Sequence, residues 1–447
     1  MIDVHGHVFN AAYVPIPGVL LTRTRLSPQA AHAAARVFNA IVQLDPPPRA
    51  VPLLDPLDFS EAEIELETDL PIESDDEAAV GWIAERISDD VLDEIGPLLD
   101  KANATFEAEG MSQPFGVEKF NVLGRRWDLI RFLRDFIRSA GGWGRWFILL
   151  LGRETVLVRK MYRYYPEVRH FVVHMMDMDN FYEGESKLEF VSEQIPRVAA
   201  LARASGGRIL PFVAIDPTRQ NAMEIVREAC QDHGFKGVKF YPPSGYRPLN
   251  NTEKDVPPGV DPKLVEANLD ALYKFCETSG TPIFTHCQPK GMDARPGSGE
   301  LSHPAGWEPV LQRHPKLRLC IGHAGGEPAW FGKDGDADVD PEWRLKTVEL
   351  CCTHENVYCE VGHLDDLLDK AARKRFRDRL AEAAQTAGSF RFADKIMYGS
   401  DYHLLVRTPN FRRIPQFLEE IVTSAGINPG AFFDANAARY LGLSAGP

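Results

Sequence analysis

The feature that most constrains the fold is the regular recurrence of short apolar runs from residue 170 onward. Each run has the length of a buried strand, and each begins about one strand–helix unit after the previous run. Continuous apolar runs favour a parallel sheet that is buried on both faces. Together with a first strand beginning at Ile2, the predicted strands are His170–Met176, Ile209–Ile215, Gly237–Tyr241, Pro282–His286, Leu317–His323, Val357–Val361 and Ile396–Asp401.

Eight strand–helix units of this kind close into a barrel, so the predicted fold class is α/β, a (β/α)8 TIM barrel. Residues 1–10 and 166–447 are assigned to the barrel domain. Residues 11–165 lack this alternation of apolar strands and helices. Their sequence predicts a large, mainly helical insertion after strand 1. Since loops after barrel strands emerge on the catalytic face, the insertion is predicted to cap the barrel mouth, with a surface decoration or an oligomer interface as the alternative.

The charge balance restricts the partners of the chain. A net charge of -14 argues against nonspecific binding of nucleic acid or of anionic membranes. The first strand leaves no room for a signal peptide, so we expect a cytoplasmic protein. Seven cysteines without a C-x-x-C spacing indicate reduced thiols. The expected partner is a small-molecule substrate, and a homodimer or a higher homo-oligomer is compatible with the sequence.

The first strand carries a histidine pair. His5 and His7 stand two residues apart and project to one face of a strand, while Ile2 and Val4 are predicted to take the opposite, apolar face. Gly6 between the histidines leaves room for a metal ion near the backbone. Alone, such a pair is equally typical of solvated or packed histidines, so its meaning depends on the rest of the chain.

Three further polar residues end predicted strands. His286 ends strand five, His323 ends strand six and Asp401 ends strand eight, each after an apolar run. Barrel enzymes place their catalytic residues at this C-terminal rim. Four imidazoles and one carboxylate that converge there are ligands suited to Zn²⁺, Mn²⁺ or Fe²⁺.

Lys239 is a sixth group, because alternation in strand four turns Lys239 and Tyr241 toward the barrel interior. A buried ammonium is costly without a partner. Two interpretations remain open. Nearby cations could depress the pKa of the amine so that it captures carbon dioxide as a metal-bridging carbamate. Alternatively, Lys239 could pair with an acidic residue or hold a substrate carboxylate.

These motifs resemble the amidohydrolase superfamily, in particular its amidohydrolase-2 branch. The resemblance covers residues 1–10 and the chain from about residue 170 onward. Val238–Pro242 is also similar to the strand of dihydroorotase that carries a carbamylated lysine. Phe9 stands where dihydroorotase has a substrate-binding arginine, so dihydroorotate is not the expected substrate. The motifs are Asp3-Val4-His5-Gly6-His7, Thr285-His286, Gly322-His323-Ala324-Gly325-Gly326 and Gly399-Ser400-Asp401.

The resemblance implies a metal site and a reaction. His5, His7 and Asp401 would hold a first metal, most simply zinc. A carbamylated Lys239 would bridge to a second metal at His286 and His323, giving one or two ions per chain. Asp401 would act as the catalytic acid and base while a metal-activated water cleaves an amide, lactone or ester bond.

A site with one metal implies a different reaction. His286 would then be a ligand and His323 a free catalytic acid or base, as in a nonoxidative decarboxylase or a hydratase acting on a small carboxylic acid. A noncatalytic ligand-binding barrel is a third hypothesis. It predicts the loss of one of the six polar groups, and none is missing.

Secondary candidates line the predicted rim. Glu327 and Glu360 could orient metal-bound histidines, and His363 is a further candidate at the rim. Arg247 could bind an anionic group of the substrate. The residues predicted to contact substrate are His174, Tyr241, Arg247, Gln288, Glu327, Tyr402 and His403.

Overall fold

The structure is a computed structural model that describes residues 1–46, 80–81, 83–85, 87–112, 124–140, 143–333, 335–336 and 339–443. Parts of the predicted insertion, including residues 47–79 and 113–123, lie outside these ranges. The chain forms two compact units: Met1–His7, Tyr164–Phe181 and Ile195–Pro447 make one, and Val8–Arg163 and Tyr182–Gln194 make the other. Within the described ranges, every helix is too short or too polar to cross a membrane.

The first unit contains the predicted barrel. Eight parallel strands form one sheet in the order β1 to β8. The sheet nearly closes, because the backbone N–H of Asp401 donates to the carbonyl oxygen of His5 at 2.7 Å. The strands are β1 Ile2–Gly6, β2 His170–His174, β3 Ile209–Ala214, β4 Gly237–Phe240, β5 Ile283–Thr285, β6 Leu319–Ile321, β7 Val357–Val361 and β8 Ile396–Tyr398.

Several strands end earlier than predicted. β5 ends at Thr285, β6 at Ile321 and β8 at Tyr398, so His286, His323 and Asp401 stand in the loops that follow. His7 likewise follows β1. A loop residue is released from the strand ladder and can take dihedral angles that a strand excludes, which matters for the site described below.

Amphipathic helices connect the strands, as predicted. In Pro262–Ser279 the Asp261 side chain accepts a hydrogen bond from Lys263 N at 2.9 Å and caps the helix, and Gly280 ends it with a φ of 69°. Buried Val265, Leu269, Leu272 and Cys276 recur at helical spacing. The α-helices of the barrel unit after β2 are Ile195–Ala204, Ala222–Gln231, Pro262–Ser279, Glu308–Arg313, Glu327–Phe331, Glu342–Thr353, Lys370–Ala384, Tyr402–Leu405, Ile414–Ser424 and Asn436–Leu441.

The barrel core corrects one prediction about β1. Ile2 and Val4 belong to the same buried cluster as Phe284, and the Phe284 ring lies 4.8 Å from that of His5. Ile2 and Val4 therefore do not face away from His5. The pairing of β1 with β2 shifts between Asp3 and Gly6, and such an irregularity breaks the alternation of an ideal strand.

The second unit is mainly helical, in agreement with the prediction for the insertion. Ser27 caps its second helix by accepting from Ala30 N at 3.1 Å. Phe38 packs edge-to-face on Phe136, with 4.6 Å between ring centroids, and buried aromatic rings make up much of this core. Its described α-helices are Ile16–Arg23, Pro28–Ile41, Asp89–Glu94, Gly96–Ala108, Arg125–Ala140, Gly144–Leu149 and Glu154–Tyr164.

Candidate metal centre

The six predicted metal-binding side chains are all buried and all lie toward the C-terminal ends of barrel strands. Five strands therefore bring these groups to one end of the barrel. They are His5 and His7 at the end of β1, Lys239 in β4, His286 after β5, His323 after β6 and Asp401 after β8.

His5, His7 and Asp401 form the first cluster, with one ligand atom from each lying within 4.8 Å of the others. His7 Nδ1 donates to the carbonyl oxygen of His174 at 2.9 Å, so Nε2 of a neutral ring presents a lone pair. This Nε2 lies 3.7 Å from Asp401 Oδ1, a buried atom without a hydrogen-bond partner among the described residues. Two buried acceptors that face each other fit a cation between them.

Glu360 fixes the orientation of His5. Its Oε1 accepts from His5 Nδ1 at 2.9 Å and from the backbone N–H of His323 at 2.8 Å. The prediction that Glu360 accepts a hydrogen bond from a histidine of the candidate site is therefore confirmed. A carboxylate on Nδ1 leaves Nε2 as the ring atom available to a metal. Gly399 permits this packing, since a Cβ there would lie 2.3 Å from Glu360 Oε2.

His286 and His323 meet directly. His323 Nε2 lies 3.2 Å from His286 Nδ1, and His323 Nδ1 lies 3.3 Å from the carbonyl oxygen of Gly362. The carbonyl selects the tautomer in which Nδ1 carries the proton. His323 Nε2 is then an acceptor toward His286. His323 also lies next to the first cluster, with its ring centroid 5.0 Å from that of His5.

Lys239 points into the barrel as predicted. Its Nζ lies 4.3 Å from the centre of the Phe284 ring and 6.0 Å from that of Tyr241. Within the described part of the chain Lys239 forms no ion pair with an acidic residue. Burial lowers the pKa of Lys239 to about 8, although the charges of Asp401 and Glu360 oppose this shift. A substantial neutral fraction at neutral pH is what carbamylation requires.

Three histidines of the centre, His5, His7 and His323, are held neutral. Burial, followed by the charge of Lys239, lowers the pKa of His5 and of His7 well below the ordinary value. The same two causes lower the pKa of His323 to about 3. A histidine must be neutral to bind a metal, so burial prepares these rings for that role.

The acidic groups have the opposite shift. Burial raises the pKa of Asp401 to about 6, and the charges of His363 and Lys239 act against it. Burial raises the pKa of Glu360 to about 8, although the hydrogen bond from His323 N lowers it. Negative charge is therefore costly in this site, and a bound cation would relieve that cost.

The backbone is strained at the same place. His323, His363 and Asp401 have φ values of 52°, 56° and 47°, in the left-handed region that favours glycine. They follow β6, β7 and β8, respectively. Strain of this kind clusters at functional sites, where packing holds side chains in set directions. Neither strand periodicity nor motif spacing predicts this backbone strain.

Several residues predicted to contact substrate lie near the centre. The Tyr241 ring lies 4.7 Å from that of His286, and Tyr241 Oη accepts from Met292 N at 2.7 Å. The His403 ring lies 6.4 Å from that of His7. Gln288 follows His286 by two residues. Its backbone N–H donates to Ser302 Oγ at 3.2 Å.

Other predicted residues have different surroundings. Arg247 pairs with Asp255, with 2.6 Å between Nε and Oδ1. Tyr402 is fully buried and packs near Tyr164, with 6.5 Å between ring centroids. Glu327 pairs with His363 and not with a predicted metal ligand.

His174 lies inside the barrel beneath the metal cluster. Its Nε2 bonds to the carbonyl oxygen of Val4 at 3.0 Å, and its ring lies tilted against that of Phe284, with 4.2 Å between ring centroids. Its own carbonyl oxygen holds His7. These contacts describe a residue that supports the centre from below, so substrate contact by His174 stays a prediction.

Asp3 was not predicted to have a role. It is fully buried, and its Oδ1 accepts from the backbone N–H groups of His5 and Ser400 at 3.0 Å and 2.9 Å. Asp3 thus ties the end of β1 that carries His5 to the loop after β8. The sequence feature that could have indicated this role is an acidic residue between the apolar residues of the first strand.

Comparisons with known proteins identify the family of the chain. A family model described as amidohydrolase matches residues 152–443. Similar solved structures include an amidohydrolase from Burkholderia multivorans with bound zinc, 14% identical, covering 64% of this chain and 87% of that chain with a TM-score of 0.43. An amidohydrolase from Mycobacterium avium subsp. paratuberculosis K-10 is 16% identical and covers 64% of this chain and 73% of that chain, with a TM-score of 0.35. No curated protein matches the chain.

The family match covers more than half of the chain and contains β2 to β8. It includes Lys239, His286, His323 and Asp401, whereas the histidine pair of β1 lies outside it. The resemblance drawn from the motifs is confirmed, and the chain belongs to the amidohydrolase family.

Proposed function

We propose that the chain is a hydrolase that uses a metal-activated water to cleave an amide, lactone or ester bond of a small molecule. Membership of the amidohydrolase family supports a metal-dependent hydrolase. The observation that carries the proposal is the buried Oδ1 of Asp401, which faces His7 Nε2 at 3.7 Å beside His5.

His5, His7 and Asp401 would hold the metal. Two imidazoles and a carboxylate suit zinc, which takes three protein ligands in catalytic sites and keeps one position open. When bound, such an ion polarises a carbonyl and lowers the pKa of a water molecule to about 7.

Asp401 is positioned for proton transfer. Its backbone is fixed by the hydrogen bond to the His5 carbonyl oxygen, and its carboxylate is buried, with His7 Nε2 at 3.7 Å. In the proposed reaction this carboxylate accepts a proton from the attacking water as the new carbon–oxygen bond forms. The acceptor role requires the ionised form, so activity is expected to rise with pH as Asp401 deprotonates.

The chemical state of the Lys239 amine determines whether the proposed site binds one metal ion or two. If its amine is carbamylated, the new anion would join His286 and His323 in binding a second ion. The lowered pKa and the lack of an ion pair within the described residues support this reading. If the amine stays free, Lys239 can instead hold a carboxylate of the substrate.

The contact between His286 and His323 favours a second candidate function. His323 Nε2 lies at hydrogen-bond distance from His286 Nδ1, so His323 can serve as an acid or base and not as a ligand. That arrangement suits a nonoxidative decarboxylase or a hydratase acting on a small carboxylic acid with one metal bound. Release of carbon dioxide would distinguish the decarboxylase from the hydrolase.

Metal analysis of protein purified without added metal, together with an activity screen, tests the proposal. Small lactones, esters and amides are assayed by acid release, and small carboxylic acids by carbon dioxide release. We expect hydrolysis that is lost after chelation and restored by zinc. A ratio near two ions per chain supports the carbamate, and a ratio near one supports the single-metal reading.

His7→Ala is the matched variant for the metal site, and His170→Ala is its control. His170 begins β2 at the opposite end of the barrel, where its Nδ1 bonds to the carbonyl oxygen of Gly207 at 3.0 Å. His7→Ala should lose metal and activity together, and the control should keep both. Equal metal content in the two variants would contradict the assigned centre.

A further inference from the structure

A histidine–glutamate pair lies beside the candidate centre and has no part in the function proposed above. His363 comes two residues after β7, and Glu327 begins the helix Glu327–Phe331 after β6. His363 Nδ1 lies 3.0 Å from Glu327 Oε1, and the side chains are only 17% and 19% exposed. The carboxylate accepts this hydrogen bond, so Nδ1 carries the proton.

The ring is held in a set direction. The left-handed backbone of His363, with φ at 56°, is costly and persists because the neighbouring loop fixes it. The backbone N–H donates to the carbonyl oxygen of Ser400 at 3.3 Å, directly before Asp401. The two loops that carry His363 and Asp401 are thus joined at the barrel rim.

The second ring nitrogen has no partner within the described residues. Nε2 of His363 is buried and forms no hydrogen bond there. A buried polar atom left unsatisfied destabilises the fold, and this cost is recovered when a ligand supplies the missing partner. A buried ring nitrogen without a partner, in a residue whose charge acts on Asp401, indicates a role toward a bound molecule.

The ring also carries charge. Burial alone would lower the pKa of His363, but the charge and hydrogen bond of Glu327, with Asp401 and Asp365, raise it to about 9. His363 in turn lowers the pKa of Asp401 and of His323, which places its charge close to the centre. An imidazolium has a proton on both nitrogens, so Nε2 is a donor near neutral pH.

A cation site is the competing interpretation. Ligand atoms of Glu327, His363 and Asp365 lie within 4.8 Å of one another. A protonated ring cannot bind a cation, however, and Asp365 Oδ2 already accepts from Thr408 Oγ1 at 3.2 Å. The hydrogen bond between His363 and Glu327 would also have to break. The observations therefore favour a proton donor.

We propose that His363 is a catalytic acid that gives its Nε2 proton to the leaving oxygen of the substrate, with Glu327 as its positioning residue. The inference rests on the proposed hydrolysis. The water oxygen bonds to the carbonyl carbon and its proton passes to Asp401. The bond to the leaving oxygen breaks, and that oxygen keeps the electron pair and takes the Nε2 proton. The proton on Asp401 then returns to the neutral imidazole.

Leaving-group dependence tests this step. Ethoxide needs a proton in order to leave, whereas p-nitrophenolate does not. His363→Asn is the variant of choice, because asparagine tolerates the left-handed backbone but cannot supply the acidic proton. We expect kcat/KM for ethyl acetate to fall about 10²–10⁴-fold, and kcat/KM for p-nitrophenyl acetate to change far less. An equal loss on both esters overturns the proposal.

His314→Asn is the matched control. His314 also pairs with a glutamate, with 3.0 Å between Nδ1 and Glu277 Oε2, but it lies before β6 at the other end of the strand. It should leave the ratio of the two esters unchanged. Metal content of His363→Asn should match the wild type, and a loss of metal would overturn the proposal by making His363 a ligand.

A readout without turnover separates this inference from the proposed function. Nitrogen NMR of ¹⁵N-histidine-labelled full-length protein, with the His363 signals assigned from the variant, reports the protonation of each ring nitrogen. We expect both to be protonated at about pH 7. A neutral His363 overturns the inference whatever the activity, whereas wild-type protein that hydrolyses neither ester contradicts the proposed hydrolysis of esters.

Discussion

Two buried polar clusters lie at the same end of the barrel strands and differ in how their atoms are paired. After β2 and β3, Arg219 binds Asp177 with both Nε and Nη2 at 2.8 Å. Asp216 accepts from Thr218 N and Oγ1 at 2.9 Å and 2.6 Å. In this cluster the Arg219 guanidinium forms an ion pair with the Asp177 carboxylate and lies 3.6 Å from Asp216. After β1 and β8, by contrast, Asp401 Oδ1 faces His7 with no hydrogen bond between them.

The difference shows that position at a strand end does not by itself identify a functional site. Both clusters satisfy the positional rule for barrel enzymes, but the Asp177–Arg219 pair completes its own hydrogen bonds and needs no ligand. The histidine cluster is incompletely paired, since burial lowers the pKa of His5 and of His7 and Asp401 Oδ1 has no hydrogen-bond partner among the described residues. Incomplete pairing, held in place by the surrounding fold, is what a metal or a substrate can complete.

The largest predicted effect concerns Asp401. Asp401→Asn keeps the shape of the side chain but removes its charge and its capacity to accept a proton. We expect kcat/KM to fall by about 10³-fold or more, with loss of bound metal, because one residue serves both functions. Activity and metal content are measured in parallel with the midpoint of urea unfolding. A variant that keeps metal and activity would contradict the assignment of the Asp401 cluster, and not the Asp177–Arg219 cluster, to the functional site.

The paired cluster should respond in the opposite way. Asp177→Ala leaves the Arg219 guanidinium without its bidentate partner, although Arg219 keeps 20% exposure and Asp216 stays within 3.6 Å. We expect the free energy of unfolding to fall by about 2–3 kcal/mol, at the low end for a broken buried pair. Urea denaturation measures the loss, and metal content should not change. Metal loss with unchanged stability would mean that this cluster belongs to the site.

A substitution of Glu360 tests how strongly metal binding depends on the hydrogen bond that orients His5. Glu360→Gln weakens the hydrogen bond that orients His5, so metal affinity should fall about 10–100-fold while some metal still binds. Competition with a chelator of known affinity measures the change. Glu277→Gln removes a carboxylate from His314 elsewhere in the barrel and should leave affinity unaltered. Equal affinities in the two variants would show that Glu360 serves packing alone.

The sequence predicted the parts of this site that depend on strand order. Apolar runs locate β1 to β8, and a parallel barrel then brings His5, His286, His323 and Asp401 to one end without any knowledge of distances. The irregular register of β1 was not predictable, because alternation assumes an ideal strand and Ile2 and Val4 depart from it.

The individual partner of a charged rim residue lay beyond sequence patterns as well, although Glu360 was expected to orient one of the histidines. Arg247 pairs with Asp255 eight residues away, whereas Glu360 pairs with His5 from the far end of the chain. Nothing in the local sequence distinguishes these two outcomes. The left-handed backbone at His363 depends on loop packing, which no periodicity encodes.

The smallest predicted effect is a change in pH dependence at the His363–Glu327 pair. The folded pKa of His363, about 9, lies above its ordinary value of 6.5, so protonation favours the folded state. The contribution of His363 protonation to the free energy of unfolding is complete below pH 6.5 and is lost as the pH rises through about 9.

Glu327→Gln removes the main cause of the raised pKa and leaves Asp401 and Asp365 to oppose burial. The wild type should therefore lose about 1–2 kcal/mol more unfolding free energy than the variant between pH 7 and 9. Urea unfolding at several pH values measures the difference, with Glu277→Gln as the control for loss of one carboxylate. Parallel curves for wild type and variant would show that Glu327 does not raise the pKa of His363. His363 would then be a structural residue, as Asp177 and Arg219 are.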